Sequence, residues 1–149
     1  MEITENTFID ILGLPEWDDR VIEVLEAVEL PRPILKEGDV DKFLHSKKYG
    51  IELFFDNIAI TELQKELDST NTLFLDHVSF DKDTILPMPF NIKMEDDYKT
   101  IVEKIGREPD VKATESETTF IWDFPYKRFV VNLEDESLNS LKEFWFRMW

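Results

Sequence analysis

"TTFIWDFPYKRFVVNLE", residues 118–134, is the stretch on which the fold turns. Phe120, Trp122 and Phe124 recur at every second position, and so do Phe129, Val131 and Leu133, with Val130 and Asn132 between them. A period of two is that of a strand, whose successive side chains point to opposite faces. Pro125-Tyr126 separates the two runs, which is the length of a tight hairpin turn. The chain doubles back here, and the two strands are antiparallel. "EDES" (134–137) turns it again into "LNSLKEFWFRMW" (138–149), where Phe144, Phe146 and Met148 alternate with Trp145, Arg147 and Trp149.

Working outward, "YGIELFFD" (49–56) alternates Ile51, Leu53 and Phe55 against Glu52, Phe54 and Asp56, and "NTLFLDHVSFD" (71–81) reads as a further strand. Helical spacing replaces strand spacing elsewhere. Val21, Val24, Leu25 and Val28 fall at i, i+3, i+4 and i+7, after an N-cap at Asp18 or Asp19 and before Pro31 and Pro33. In "MEDDYKTIVEKIG" (94–106), Asp96 is suited to cap, Asp97 sits at the positive end of the helix, and Gly106 ends it. Residues 4–12 read as a short helix closed by Gly13, whereas "ITELQKELD" (60–68) fits a helix or an irregular connector equally. The expected class is α+β: an antiparallel sheet of about five strands with two or three helices on one face.

A chain of 149 residues with 42% hydrophobic content is most simply one domain, 1–149. It is long enough to bury roughly 70% of its unfolded surface without staples. Its 33 acidic and 17 basic residues leave a charge of −16, and residues 1–30 hold nine carboxylates against Arg20 alone. Such a field disfavours nucleic acid and anionic membranes, both of which call for Lys and Arg, and favours a basic protein partner. The absence of cysteine excludes disulfides, zinc–thiolate sites and thiol catalysis. "MEITENTFIDILG" lacks the basic and apolar regions of a signal peptide, and no apolar run approaches the ~20 residues of a membrane span, so the expected location is cytoplasmic.

Chemistry-bearing patterns are few. His45 and His77 stand far apart with no third ligand. Glu134, Asp135 and Glu136 sit in a turn, where carboxylates are solvated; acid–base work would need one of them in an apolar pocket. "MEDD" (94–97) lacks the alternating spacing and the glycine of a calcium loop. With four glycines there is no loop to cradle phosphate. No catalytic residue, cofactor or metal is expected.

Two groups of residues are candidates for contact with a partner. "EWDDRVIEVLEAVEL" (16–30) places Asp19, Glu23 and Glu26 opposite its apolar stripe, flanked by Glu16 and Asp18. Like charges at such spacings cost a helix roughly 0.2–0.5 kcal/mol per pair, here Asp19–Glu23, Glu23–Glu26 and Glu26–Glu29. Scattered acids would confer solubility equally well; a single acidic face also steers towards a basic cleft. The second group is Trp145, Arg147 and Trp149, large groups on the second face of a strand whose first face is already apolar.

The stretch "LPMPFNIKMEDDYKTIVEKIGREPD" (86–110), followed by "FIWDFPYKRFVVNLE", resembles a pattern of small bacterial proteins: Pro-Phe, a helix with an acidic start, a Gly-x-Pro-acid turn and an aromatic hairpin. "FIDILGLPEWD" (8–18) with "KYGIELFFD" (48–56) echoes it, although Gly106 and Pro109 are one residue further apart than Gly13 and Pro15. Two degenerate helix–sheet halves of this kind are similar to folds of the β-lactamase inhibitory protein type and of small outer-membrane-assembly lipoproteins. Stand-alone acidic versions resemble immunity proteins of interbacterial competition, including contact-dependent inhibition. The resemblance implies an antitoxin that binds and neutralises a cognate toxin, such as a nuclease with a basic cleft, and that is not an enzyme. The alternative is an acidic DNA mimic inhibiting a nucleic-acid-binding protein.

Overall fold

The computed structural model describes residues 1–34, 36, 38–68, 72–112 and 118–149. Helix α1 (Thr7–Ile11) buries Phe8 and Ile11, and Gly13 reverses the chain at φ +87°. The connector after it runs beside the chain at Leu73–Leu75, where Glu16 N–H donates to Leu73 O at 2.8 Å and Gly13 N–H to Leu75 O at 2.8 Å. In α2 (Asp19–Ala27), Asp18 is the cap: its carboxylate accepts from Arg20 N–H at 2.9 Å. Val21, Val24, Leu25 and Val28 are buried, as the spacing requires. The helix stops at Ala27, and Glu29 is already left-handed at φ +58°. The expected Glu26–Glu29 repulsion is therefore not made within the helix, and Glu29 pairs with Lys48 instead.

β1 (Asp41–Ser46) and β2 (Ile51–Asp56) form a hairpin that the pattern reading lacked on its first side. "DKFLHS" directs Phe43 and His45 to solvent, so its alternation carries no apolar signature. Gly50 closes the hairpin at φ +66°, where a Cβ would lie 2.5 Å from the backbone of Thr84; only glycine fits.

The undecided segment is a helix, α3 (Glu62–Leu67), because Thr61 and Gln64 form a reciprocal capping box. Gln64 also donates to Gly13 O at 2.9 Å, which ties α3 to the turn after α1. Thr61→Ala is expected to cost about 1 kcal/mol in urea denaturation, while Thr61→Ser stays near wild type.

β3 (Phe74–Phe80) follows; the expected first residue of that strand, Asn71, lies outside the described residues. α4 (Tyr98–Ile105) is capped by Asp97, which accepts from Thr100 N–H at 2.8 Å, and not by Asp96. Asp96 accepts instead from Lys93 N–H at 2.9 Å and from Lys104 Nζ at 2.6 Å, one turn outside the helix. Gly106 ends α4 in the left-handed region at φ +94°. β4 (Val111–Lys112), β5 (Thr119–Phe124), β6 (Lys127–Leu133) and β7 (Leu141–Met148) complete the chain. Tyr126, at φ +63°, occupies the second central position of the β5–β6 turn behind Pro125.

The strands form one seven-stranded sheet in the order β1-β2-β3-β7-β6-β5-β4, with every neighbouring pair antiparallel. Two meanders meet where β3 pairs with β7. The class is α+β with a single antiparallel sheet, but among the described residues with seven strands instead of about five and four α-helices instead of two or three. The two unexpected strands are those at the edges, β1 and β4, which are the shortest in apolar content and so the least legible.

One face of this sheet carries the core. Phe80, Phe129, Phe144 and Phe146 pack together, stacked or tilted, with neighbouring centroids 5.3–6.4 Å apart. Phe8 of α1 meets Phe80 edge-on at 5.6 Å, and Tyr98 of α4 meets Phe120 at 4.5 Å, so these helices cover the same face. Trp122 is fully buried and satisfies its indole N–H on Arg107 O at 2.9 Å. Among the described residues no helix is long and apolar enough to cross a membrane.

Candidate functional site

Register carries the other face of the sheet into straight rows. One runs Phe43, Phe54, His77, Arg147, Arg128, Asp123 across β1, β2, β3, β7, β6 and β5. The next runs His45, Glu52, Ser79, Trp145, Val130, Ile121 and Val111. A third pairs Glu143 with Asn132 and Thr119, whose side chains are hydrogen-bonded to one another in turn. The central strand β7 thus carries large side chains on both sides: Phe144, Phe146 and Met148 enter the core, while Trp145 and Arg147, with Trp149 just past the strand's end, emerge on the open face.

Each of these three is engaged within the chain. Trp145 is half-buried and stacks on His77 at 4.8 Å and 24°. Arg147 donates from Nε to Met148 O at 3.1 Å and faces Asp76 and Asp56 electrostatically. Trp149 stays 54% exposed beneath the Arg128 guanidinium, which lies 3.3 Å from its ring centroid and is held by Asp123 at 2.7 and 3.0 Å. Arg128 is therefore oriented from both sides, by a carboxylate and by an aromatic face.

A bulge in β3 places one group that the sequence reading passed over. The register skips from Phe54–His77 to Phe55–Leu75, which leaves Asp76 as the extra residue, 6% exposed. Burial, then the nearby Asp56 charge, push the Asp76 carboxyl up to about 6, against the pull of Arg147. Its neighbour His77 is pushed down to about 4 by burial and then by Arg147, so its imidazole is neutral at pH 7. Asp56 is raised too, chiefly by burial.

Beside this group lies a depression of about 220 Å³, walled by Phe43, Phe54, His77 and Trp145 and edged by Glu52, Ser79 and Glu143. The signal for it was Phe54, an aromatic on the polar side of an alternating strand. What concealed it was the unrecognised β1, which supplies Phe43 at 4.5 Å from Phe54. Asp76 and Asp56, the two acids pushed up by burial, do not line the depression. The conjunction that acid–base catalysis requires, a perturbed acid inside a pocket, is not made there.

The acidic group lies behind the sheet. Asp19, Glu23 and Glu26 are exposed on the outer side of α2, whose inner side faces the core, and they have no hydrogen-bond or ionic partner among the described residues. Glu23 and Glu26 flank a broad surface hollow with Met1 and Ala27. Glu16 and Asp18 differ from these three. Glu16 accepts from Arg32 Nε at 2.9 Å; Asp18 accepts from Arg20 at Nε (3.1 Å) and Nη2 (3.0 Å), which together with its capping role holds its carboxyl below the usual range. The sheet stands between the two candidate groups, so α2 and Trp145 do not share one contact surface. Among the described residues no cluster of three or more His, Asp or Glu side chains could hold a metal ion.

Comparison with known protein families, characterised proteins and solved structures finds no match to this chain.

Proposed function

We propose that this chain is an immunity-type inhibitor that binds the basic surface of a cognate antibacterial toxin domain and neutralises it through the outer face of α2. The observation that carries the reading is the set of three carboxylates, Asp19, Glu23 and Glu26, without a partner among the described residues, on one exposed helix face of a chain with charge −16. Self-repulsion along that face costs α2 a few tenths of a kcal/mol per pair. Docking on a basic cleft turns the same charges into attraction, and the long-range field raises encounter rates by roughly 10- to 1,000-fold at low salt. A nuclease cleft fits this chemistry, since it is built to receive phosphates and an acidic helix can occupy it in their place. Glu16 and Asp18 contribute to the field while holding their internal partners. Neutralisation takes place where such a toxin acts, which for a nuclease is the cytoplasm.

Co-purification with the product of the adjacent gene, followed by titration calorimetry, tests the reading: one-to-one binding that weakens with salt is expected. Glu23→Lys adds a sharper readout. It converts two repulsive pairs, to Asp19 and to Glu26, into attractive ones, so α2 gains a few tenths of a kcal/mol while complex formation weakens about tenfold. Unaltered affinity with the same gain in stability moves the contact away from α2.

A further inference from the structure

The open-face depression has its own chemistry, independent of α2 and of the toxin reading. We infer that it is a receptor for a single cationic side chain, the guanidinium of an arginine on a partner protein. Its volume, about 220 Å³, falls below the roughly 300–1,000 Å³ of small-molecule sites and suits one side-chain head group. Its walls are aromatic rings: Phe54 in contact with Phe43, and Trp145 on His77. Aromatic rings attract a planar cation to their faces, and Arg more than Lys, because the guanidinium stacks as well as carrying charge.

Two carboxylates edge the depression. Glu143 is oriented by Asn132, which donates to it from Nδ2, and Glu52 has no partner among the described residues. Among the described residues no lysine or arginine lines it; Arg147, next after Phe43, Phe54 and His77 in their row, is the cross-strand partner of His77 and faces Asp76 and Asp56 electrostatically. Of the groups facing it, His45 lies across from Glu52 on β1 and leans on Asp81 at 3.9 Å. The imidazole of His77, held neutral, adds an aromatic wall without a competing charge. An anion would meet two carboxylates here, and an uncharged apolar group would leave Glu52 desolvated and unpaired. A cation satisfies the rings and the carboxylates together.

The test is a titration of the isotope-labelled full chain by nuclear magnetic resonance. Nα-acetyl-arginine methylamide is the probe, and its citrulline counterpart, equal in shape but uncharged, is the control. The arginine amide is expected to give saturable shifts at the Trp145 indole, His77 and Ser79 with a millimolar dissociation constant. Citrulline is expected to bind about tenfold more weakly, the scale of one charge-assisted contact. Glu52→Gln, a change to a side chain with no partner among the described residues, should reproduce that loss with the spectrum of the fold intact. A triple variant with Asp19→Asn, Glu23→Gln and Glu26→Gln should leave the shifts unchanged. Equal binding of citrulline, an unaffected Glu52→Gln variant, shifts confined to α2, or no saturation at tens of millimolar would each overturn the assignment.

Discussion

Phe146→Ala is expected to cost the fold about 3–5 kcal/mol, the toll of a large aromatic removed from a closed core. Phe146 is fully buried and touches three rings, Phe80, Phe129 and Phe144, at the centre of the sheet. Against a total stability of roughly 5–15 kcal/mol for a domain of this kind, the variant is left near its threshold. Its immediate neighbour supplies the contrast. Trp145→Ala removes a half-buried ring, losing both its stacking on His77, about 0.5–1.5 kcal/mol, and its partial burial, so the loss should be about 2 kcal/mol. Urea denaturation of the two variants measures the difference directly. Equal costs would mean that the face bearing Trp145 is packed as tightly as the core, and the open-face description would fail.

Asp76→Asn is expected to stabilise the protein by about 2 kcal/mol at pH 8, because it removes a buried carboxylate whose charge lacks a hydrogen bond among the described residues. The pH dependence carries the signature. Asp76 has a folded-state pKa of about 6 against an ordinary value of 3.8, so the native state holds an extra proton between those limits. Its contribution to stability therefore rises as pH falls from 6 to 4. His77 does the reverse: its folded value is about 4 against 6.5, so the unfolded state holds the extra proton and stability falls across nearly the same interval. In the wild type the two contributions oppose each other from pH 6 to pH 4. Asp76→Asn exposes the His77 contribution: the variant's own stability falls as pH drops from 6.5 towards 4, and its advantage over the wild type is lost as pH falls from 6 towards 4. His77→Gln exposes the other, and stability climbs over the same range, aided by Asp56, which shifts in the direction of Asp76. Chemical denaturation at pH 8, 6 and 4.5 distinguishes the three proteins; parallel profiles would remove the assigned pKa shifts.

How much of this was legible in the sequence depended on how many faces of each element are apolar. β5 and β6 were readable because Phe120, Trp122, Phe129 and Val131 alternate and Pro125 marks the turn. The helices at Asp19–Ala27 and Tyr98–Ile105 were readable from their stripes, with the caps displaced by one residue for α4 because Asp96 and Asp97 are interchangeable by type. β1 was not, since an edge strand buries little and its outward Phe43 mimics disorder in the pattern. The acidic face of α2 was legible as a surface. That Glu16 is taken by Arg32 was not, because that pair depends on how a loop returns, whereas Asp18 and Arg20 meet locally at the start of α2. The depression was illegible for a related reason: it gathers Phe43, Phe54, Ser79 and Trp145 from four strands, and cross-strand register is not written in local periodicity.

The inhibitor reading stands on capture of a basic partner by the acidic face of α2. The most direct test is the association rate constant between this chain and the product of its adjacent gene, measured by stopped flow across ionic strength. Wild type should associate fast at low salt and slow steeply as salt is added, whereas Asp19→Lys/Glu23→Lys/Glu26→Lys should associate about 100-fold more slowly with a flattened or inverted salt slope. A rate that is the same for both proteins at every salt concentration would contradict the account and leave the charge of α2 as a matter of solubility alone.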